Sequence, residues 1–208
     1  MSDQLSMFDD EPGDGGAPSH RKPVATRLRP ARHDLFFALR PAAGDAAAIA
    51  RSGARIVREL GVGGELLEAE RLHVSLFALA TYDEVFPELL VAAASAGASR
   101  VRHAAFEVVF DRAASFGKGD TLVLKSATAD ATPELHGLWR ALGIELADAG
   151  FPITDRKMTP HMTLAYKCRV VPETPVAPIR WIARDLVLID SHVGKHRHDV
   201  LGHWTLRA

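Results

Sequence analysis

The 208-residue sequence predicts an α+β protein made of two related halves, each presenting one polar motif on a strand. Two observations carry this prediction. Strand-like and helix-like periodicities alternate as strand, helix, strand, helix, strand, strand, and then as helix, strand, strand, strand. In addition, "RLHVSLFALA" (71–80) and "TPHMTLAYKC" (159–168) hold the same interruption, a histidine followed two positions later by a hydroxyl residue. An all-parallel βαβ array would lack this doubling.

Taken in order, residues 1–30 read as a disordered tail, acidic, then Gly/Pro-rich, then basic, with too little apolar surface to order itself. Leu35–Leu39 is a short apolar and aromatic run ended by Pro41, the form of a buried strand. A helix follows with Ile49, Ile56, Val57 and Leu60 at helical spacing and Gly61 as its stop. After the first motif strand comes a second helix, starting beyond Pro87. "AAFEVVFDRA" and "DTLVLKSA" read as two strands joined through "FGKGD". A third helix sets Leu135, Leu138, Leu142 and Leu146 on one face and ends at Gly150. The second motif strand leads to two closing strands, "IRWIARDLVLIDS" and "DVLGHWTL".

Composition bounds the function. With 47% hydrophobic and 25% charged residues, the chain reads as an ordinary soluble domain. A net charge of −1 excludes a global positive field, so any affinity for RNA or phosphate must come from a local patch. The single cysteine, Cys168, excludes an internal disulfide framework and fits a reducing compartment. No apolar run reaches a membrane span and the start lacks a signal-peptide core, so a cytoplasmic monomer without membrane contact is expected.

Ten histidines, with a hydroxyl residue at roughly one position in ten, make about one His-x-Ser/Thr match expected by chance. Three occur: His73/Ser75, His161/Thr163 and His203/Thr205. The last, beside the C-terminus, reads as the accidental one. In the other two, strand alternation puts histidine and hydroxyl on one face and Val74/Leu76 or Met162/Leu164 on the other. Burying such polar groups without partners costs about 1–3 kcal/mol each, so two equivalent pairs invite a shared polar cleft.

"LFFALRP", "RLHVSL" and "TPHMTLAY", in this order, resemble the two-histidine phosphoesterase superfamily, in its branch of 2′-5′ RNA ligases and RNA 2′,3′-cyclic phosphodiesterases. The resemblance runs from about Leu35 to the C-terminus. It implies a bilobal fold over residues 31–208, with two interleaved, pseudo-symmetric lobes whose antiparallel sheets line a central groove and whose helices lie outside. It also implies hydrolysis of 2′,3′-cyclic phosphate ends of RNA or nucleotides to a 2′-phosphate, with 2′-5′ ligation as the reverse reaction. His73 and His161 would be the acid–base pair, the 2′-phosphate outcome favouring His73 as acid and His161 as base without the sequence assigning the roles, and Ser75 and Thr163 would bind phosphate. Two imidazoles suit this reaction because both protonation states are accessible near neutrality. No metal or other cofactor is expected.

Relatives commonly carry an arginine five residues after the second histidine, where this chain has Tyr166. Strand alternation puts Lys167 with His161 and Thr163, so Lys167 is expected to supply phosphate charge, with Tyr166 and Arg156 as further substrate contacts. Arg156 and its neighbour Lys157 read equally as solvated surface. His192, His196, His198 and His203 could be read as a metal site, but their spacing suits a polar loop that overhangs the groove with Lys195 and Arg197. Cys168, His103 and His136 read as structural. "QLSMF", Gln4 to Phe8, resembles the peptide by which some bacterial DNA-repair proteins dock on the sliding clamp, although a stray apolar pair reads as well. The alternative function is a non-catalytic RNA-binding or DNA-repair-accessory protein using the same groove.

Overall fold

The computed structural model describes residues 32–116, 119–128, 132–153 and 158–207. Nine strands are seen: β1 (His33–Leu39), β2 (Glu65–Leu66), β3 (Val74–Tyr82), β4 (Phe106–Phe116), β5 (Thr121–Lys125), β6 (His161–Tyr166), β7 (Thr174–Ala183), β8 (Asp185–His192) and β9 (Arg197–Thr205). Among the same described residues, three α-helices accompany them, α1 (Ala43–Leu60), α2 (Glu88–Arg100) and α3 (Pro133–Asp148), with one 3-10 turn at Ala69–Arg71.

The strands run β7-β4-β5-β6-β3-β1-β8-β9, every pair antiparallel, with β2 added beside β6. This is the α+β class with the antiparallel sheet that the sequence predicts. The motif strands sit at the centre, where β3 meets β6 through the pair Val74 and Met162. On either side lies the same unit of strand, helix and motif strand, β1–α1–β3 and β5–α3–β6. The halves are not consecutive stretches of chain, because β8 and β9 return from the C-terminal end to extend the half begun by β1 and β3.

One expected strand is two. "IRWIARDLVLIDS" breaks at Arg184 into the end of β7, which pairs with β4, and β8, which pairs with β1. No Gly or Pro marks the break, so local sequence gives no warning. Pro175 and Pro178 lie in β7, at the sheet edge, where a missing N–H leaves no ladder incomplete.

Helix periodicity holds as read. Ile49 and Ile56 of α1 are buried, and Gly61 closes the helix at φ 60°, its N–H donating to the Val57 and Arg58 carbonyls. In α3, Leu135, Leu138, Leu142 and Leu146 are all buried. Gly53 of α1 lets the helix close on Leu164 of β6, and Gly143 of α3 does the same for Phe77 of β3. Each motif strand is thus pressed by a helix through a residue with no side chain. No helix among the described residues is long and apolar enough to cross a membrane.

Gly64, just before β2, has φ +103°, and a Cβ there would lie 2.5 Å from Cys168 Sγ and 2.6 Å from the Tyr166 carbonyl. Gly64→Ala must therefore shift the β2–β6 contact as well as strain the backbone. A loss of about 2 kcal/mol or more is expected in urea unfolding. An unchanged midpoint would show that this close approach does not constrain the end of β6.

Candidate active site

The site starts from one register. Extending the antiparallel pair Val74/Met162 by one residue each way sets His73 across from Thr163 and Ser75 across from His161. Each histidine therefore faces the other strand's hydroxyl. The intervening residues turn the other way into the core: Val74, Leu76, Met162 and Leu164 are all at most 8% exposed. Both motifs alternate as read.

The two imidazoles are oriented alike. His73 Nδ1 lies 2.7 Å from the Arg71 carbonyl, and His161 Nδ1 lies 2.8 Å from the Thr159 carbonyl, each two residues back along the chain. A carbonyl only accepts, so Nδ1 carries the proton in both rings and Nε2 is left for chemistry. Each ring also has an aromatic support. Phe116 stacks on His161 with centroids 4.2 Å apart, and Phe36 lies 5.2 Å from His73.

Charge is uneven. Burial, then the cations Arg40 and Arg71, push His73 down to about 4, against the opposing pull of its carbonyl bond. His198, in edge contact with His73 at 5.3 Å, is also pushed down to about 4, by burial and then by His73, Arg71 and Arg40. No carboxylate figures among these influences. Arg40 donates to the Glu70 carbonyl, and Arg71 donates to His196 Nδ1 at 3.0 Å while its Nε is buried with no partner. Among the described residues, neither arginine is ion-paired. In a chain of net charge −1, this is a local cluster of positive charge.

Two open cavities meet at Ser75. One, of about 500 Å³, is lined by Arg71, His73, Tyr166 and His198 among others. The second, of about 440 Å³, is lined by His161, Phe116, Phe77 and Trp139, the last two stacked at 5.4 Å.

Lys167 does not stand where alternation puts it. In the β5–β6 ladder Leu122 pairs with Ala165 and Val123 with Thr163, so Leu164 is an extra residue on β6. This bulge reverses the alternation. Leu164 and Ala165 are both buried, Tyr166 turns to the cavity, and Lys167, past the strand end at φ 57°, pairs with Glu65 at 2.7 Å. Arg156, Lys157, the tail with "QLSMF", and the central Gly-Lys of "FGKGD" lie outside the described residues.

The four C-terminal histidines are dispersed. His192 contacts Asp199 at 2.8 Å and sits near His33 and Asp190, the one group of three donor side chains within 4.8 Å among the described residues. His196 accepts from Arg71, His198 borders His73, and His203 lies 3.3 Å from Asp185. Only His196 and His198 approach the groove, and Arg197 turns to Asp199 instead. Cys168 is buried, its thiol donating to the Gly63 carbonyl and raised by burial. His103 and His136 bond to nearby carbonyls. The sequence reading missed Arg40, Arg71, Phe36 and Phe116. Only Arg71 left a signal, since it shares the parity of His73 and Ser75.

The family model of the 2′-5′ RNA ligase superfamily matches residues 45–194, well over half the chain. The chain belongs to this superfamily. Membership supports an enzyme of the phosphoesterase kind. Solved structures agree on the fold of this superfamily member. E. coli LigT in complex with 3′-AMP is 23% identical with a TM-score of 0.65, covering 86% of this chain and 100% of LigT. The protein TT0787 of Thermus thermophilus is 21% identical with a TM-score of 0.62, covering 84% of this chain and 98% of that one. No curated protein matches.

The depressed His73 has a consequence for stability. The folded protein keeps this ring neutral down to about pH 4, whereas the unfolded chain protonates it near pH 6.5, so falling pH favours unfolding through that window. About 2 kcal/mol should be lost between pH 7 and pH 5 from this ring. His73→Gln should lessen that dependence in urea titrations, leaving the share that His198, pushed down alike, contributes. An equally steep dependence in the variant would show that His73 is not the source.

Proposed function

We propose that the protein hydrolyses 2′,3′-cyclic phosphate ends of RNA or nucleotides to 2′-phosphates. The observation that carries this reading is the crossed arrangement of His73/Thr163 and His161/Ser75, with both Nε2 atoms unengaged by protein among the described residues. E. coli LigT, crystallised with 3′-AMP, offers a precedent for a nucleotide ligand on this fold.

A cyclic phosphate between the two rings has a hydrogen-bonding imidazole on each side. Following the family resemblance, His161 Nε2 takes a proton from water as the water oxygen bonds to phosphorus. The bond from phosphorus to O3′ breaks, and His73 Nε2–H delivers a proton to that oxygen, leaving a 2′-phosphate. Ser75 and Thr163 donate to the non-bridging oxygens as negative charge builds there. The chemistry proposed uses imidazoles and hydroxyls and routes no step through a metal.

In the protein alone, burial and two arginines keep His73 neutral. An anionic phosphate beside it offsets those cations and favours imidazolium. Substrate binding therefore loads the acid with the proton that it later gives away. Ligation would follow the same course, with a ribose 5′-hydroxyl in place of water bonding to phosphorus as O3′ leaves.

Hydrolysis of cyclic-phosphate-ended RNA should persist in EDTA. His73→Ala and His161→Ala should each lower kcat/KM by roughly 10²–10⁴-fold, and Ser75→Ala by roughly 10²-fold. The reading fails if both histidine variants retain full activity in folded protein.

A further inference from the structure

The cavity on the His73 side holds more cationic and donor capacity than one phosphate between two histidines requires. Four buried side-chain N or O atoms lack a hydrogen-bond partner among the described residues, and two of them, Arg71 Nε and His198 Nδ1, belong to side chains lining this cavity. A buried polar atom without a partner carries a desolvation penalty of about 1–3 kcal/mol, more when charged, so two beside one opening call for a partner from outside. The acids nearby do not supply it. Asp34 lines the same cavity but pairs with Arg32 at 3.6 Å and accepts from Thr81 at 2.7 Å.

We propose that Arg71 and His198 form a second anion subsite, which takes the phosphate on the 5′ side of the terminal nucleotide while the cyclic phosphate sits between His73 and His161. This rests on the proposed function and deepens it. The preferred substrate is then an RNA chain end, which carries that linking phosphate, rather than a nucleoside cyclic phosphate, which lacks it.

The two positions adjoin in the fold. Arg71 and His198 line one cavity together with His73, and His161 lines the other, with Ser75, Ala78 and Leu79 common to both. The guanidinium is held toward the β8–β9 turn by its bond to His196 Nδ1. His198 comes from β9, whose first residues carry it over His73 and Phe36. An arginine fork with one nitrogen tied and its Nε unmatched suits a phosphate oxygen. The subsite thus uses the turn after β8, which the two-histidine chemistry does not need.

Equilibrium binding of adenosine 2′-monophosphate and adenosine 2′,5′-bisphosphate tests this without turnover. The wild-type protein should bind the bisphosphate at least about 10-fold more tightly, the equivalent of one charge-assisted contact. Arg71→Gln and His198→Asn should each bring that ratio close to one, and Arg71→Lys should restore part of it. Equal affinities in the wild type overturn the inference. So does an equal weakening of both ligands in Arg71→Gln, which would assign Arg71 to the phosphate between the histidines. Turnover of a nucleoside 2′,3′-cyclic phosphate, measured alongside, reports on the proposed function separately. Activity there with a bisphosphate ratio of one leaves that function standing and removes only the subsite.

Discussion

The site depends on the register of one short strand contact. β3 and β6 share the pair Val74/Met162, and from it follow both the crossing of histidine with hydroxyl and the burial of the residues between them. A slip by one residue would turn both histidines toward the helices and both apolar pairs into the groove. The helices oppose such a slip, because Gly53 and Gly143 admit Leu164 and Phe77 at distances that a larger residue would not allow. Core packing and the geometry of the candidate site are therefore set by the same contacts.

The second physical theme is charge in a chain that is nearly neutral as a whole. Its cations are not spread evenly. Arg40 and Arg71 stand beside His73 and His198 on one side of the groove, while most surface arginines and lysines with close partners meet acids elsewhere, as Arg100 does with Glu145 and Lys125 with Glu173. Burial keeps the two histidines uncharged, which limits repulsion within the groove. On the proposed function, an arriving phosphate would reverse that balance and couple substrate charge to the protonation state of His73.

Much of this was legible in the sequence because the signals were local. The paired His-x-Ser/Thr motifs, the leucine face of α3 and the glycine stop of α1 depend on period and on single residues, and the structure keeps all of them. What escaped was set over long range. The bulge at Leu164, which exchanges Lys167 for Tyr166 at the cavity, arises from the ladder with β5, and "TLAYK" contains no glycine or proline to announce it. The break at Arg184 exists because β7 and β8 belong to different halves of the sheet, a fact of topology and not of composition. Phe36 and Phe116 likewise read as ordinary strand aromatics until the fold sets them against the two histidines.

The most direct test of the central claim is a crystal structure with a nucleoside 2′-phosphate bound. The account predicts one phosphate whose oxygens lie about 2.6–3.2 Å from both Nε2 atoms of His73 and His161, with the Ser75 and Thr163 hydroxyls on the remaining oxygens. A phosphate seated elsewhere, or touching only one of the two histidines, would contradict it.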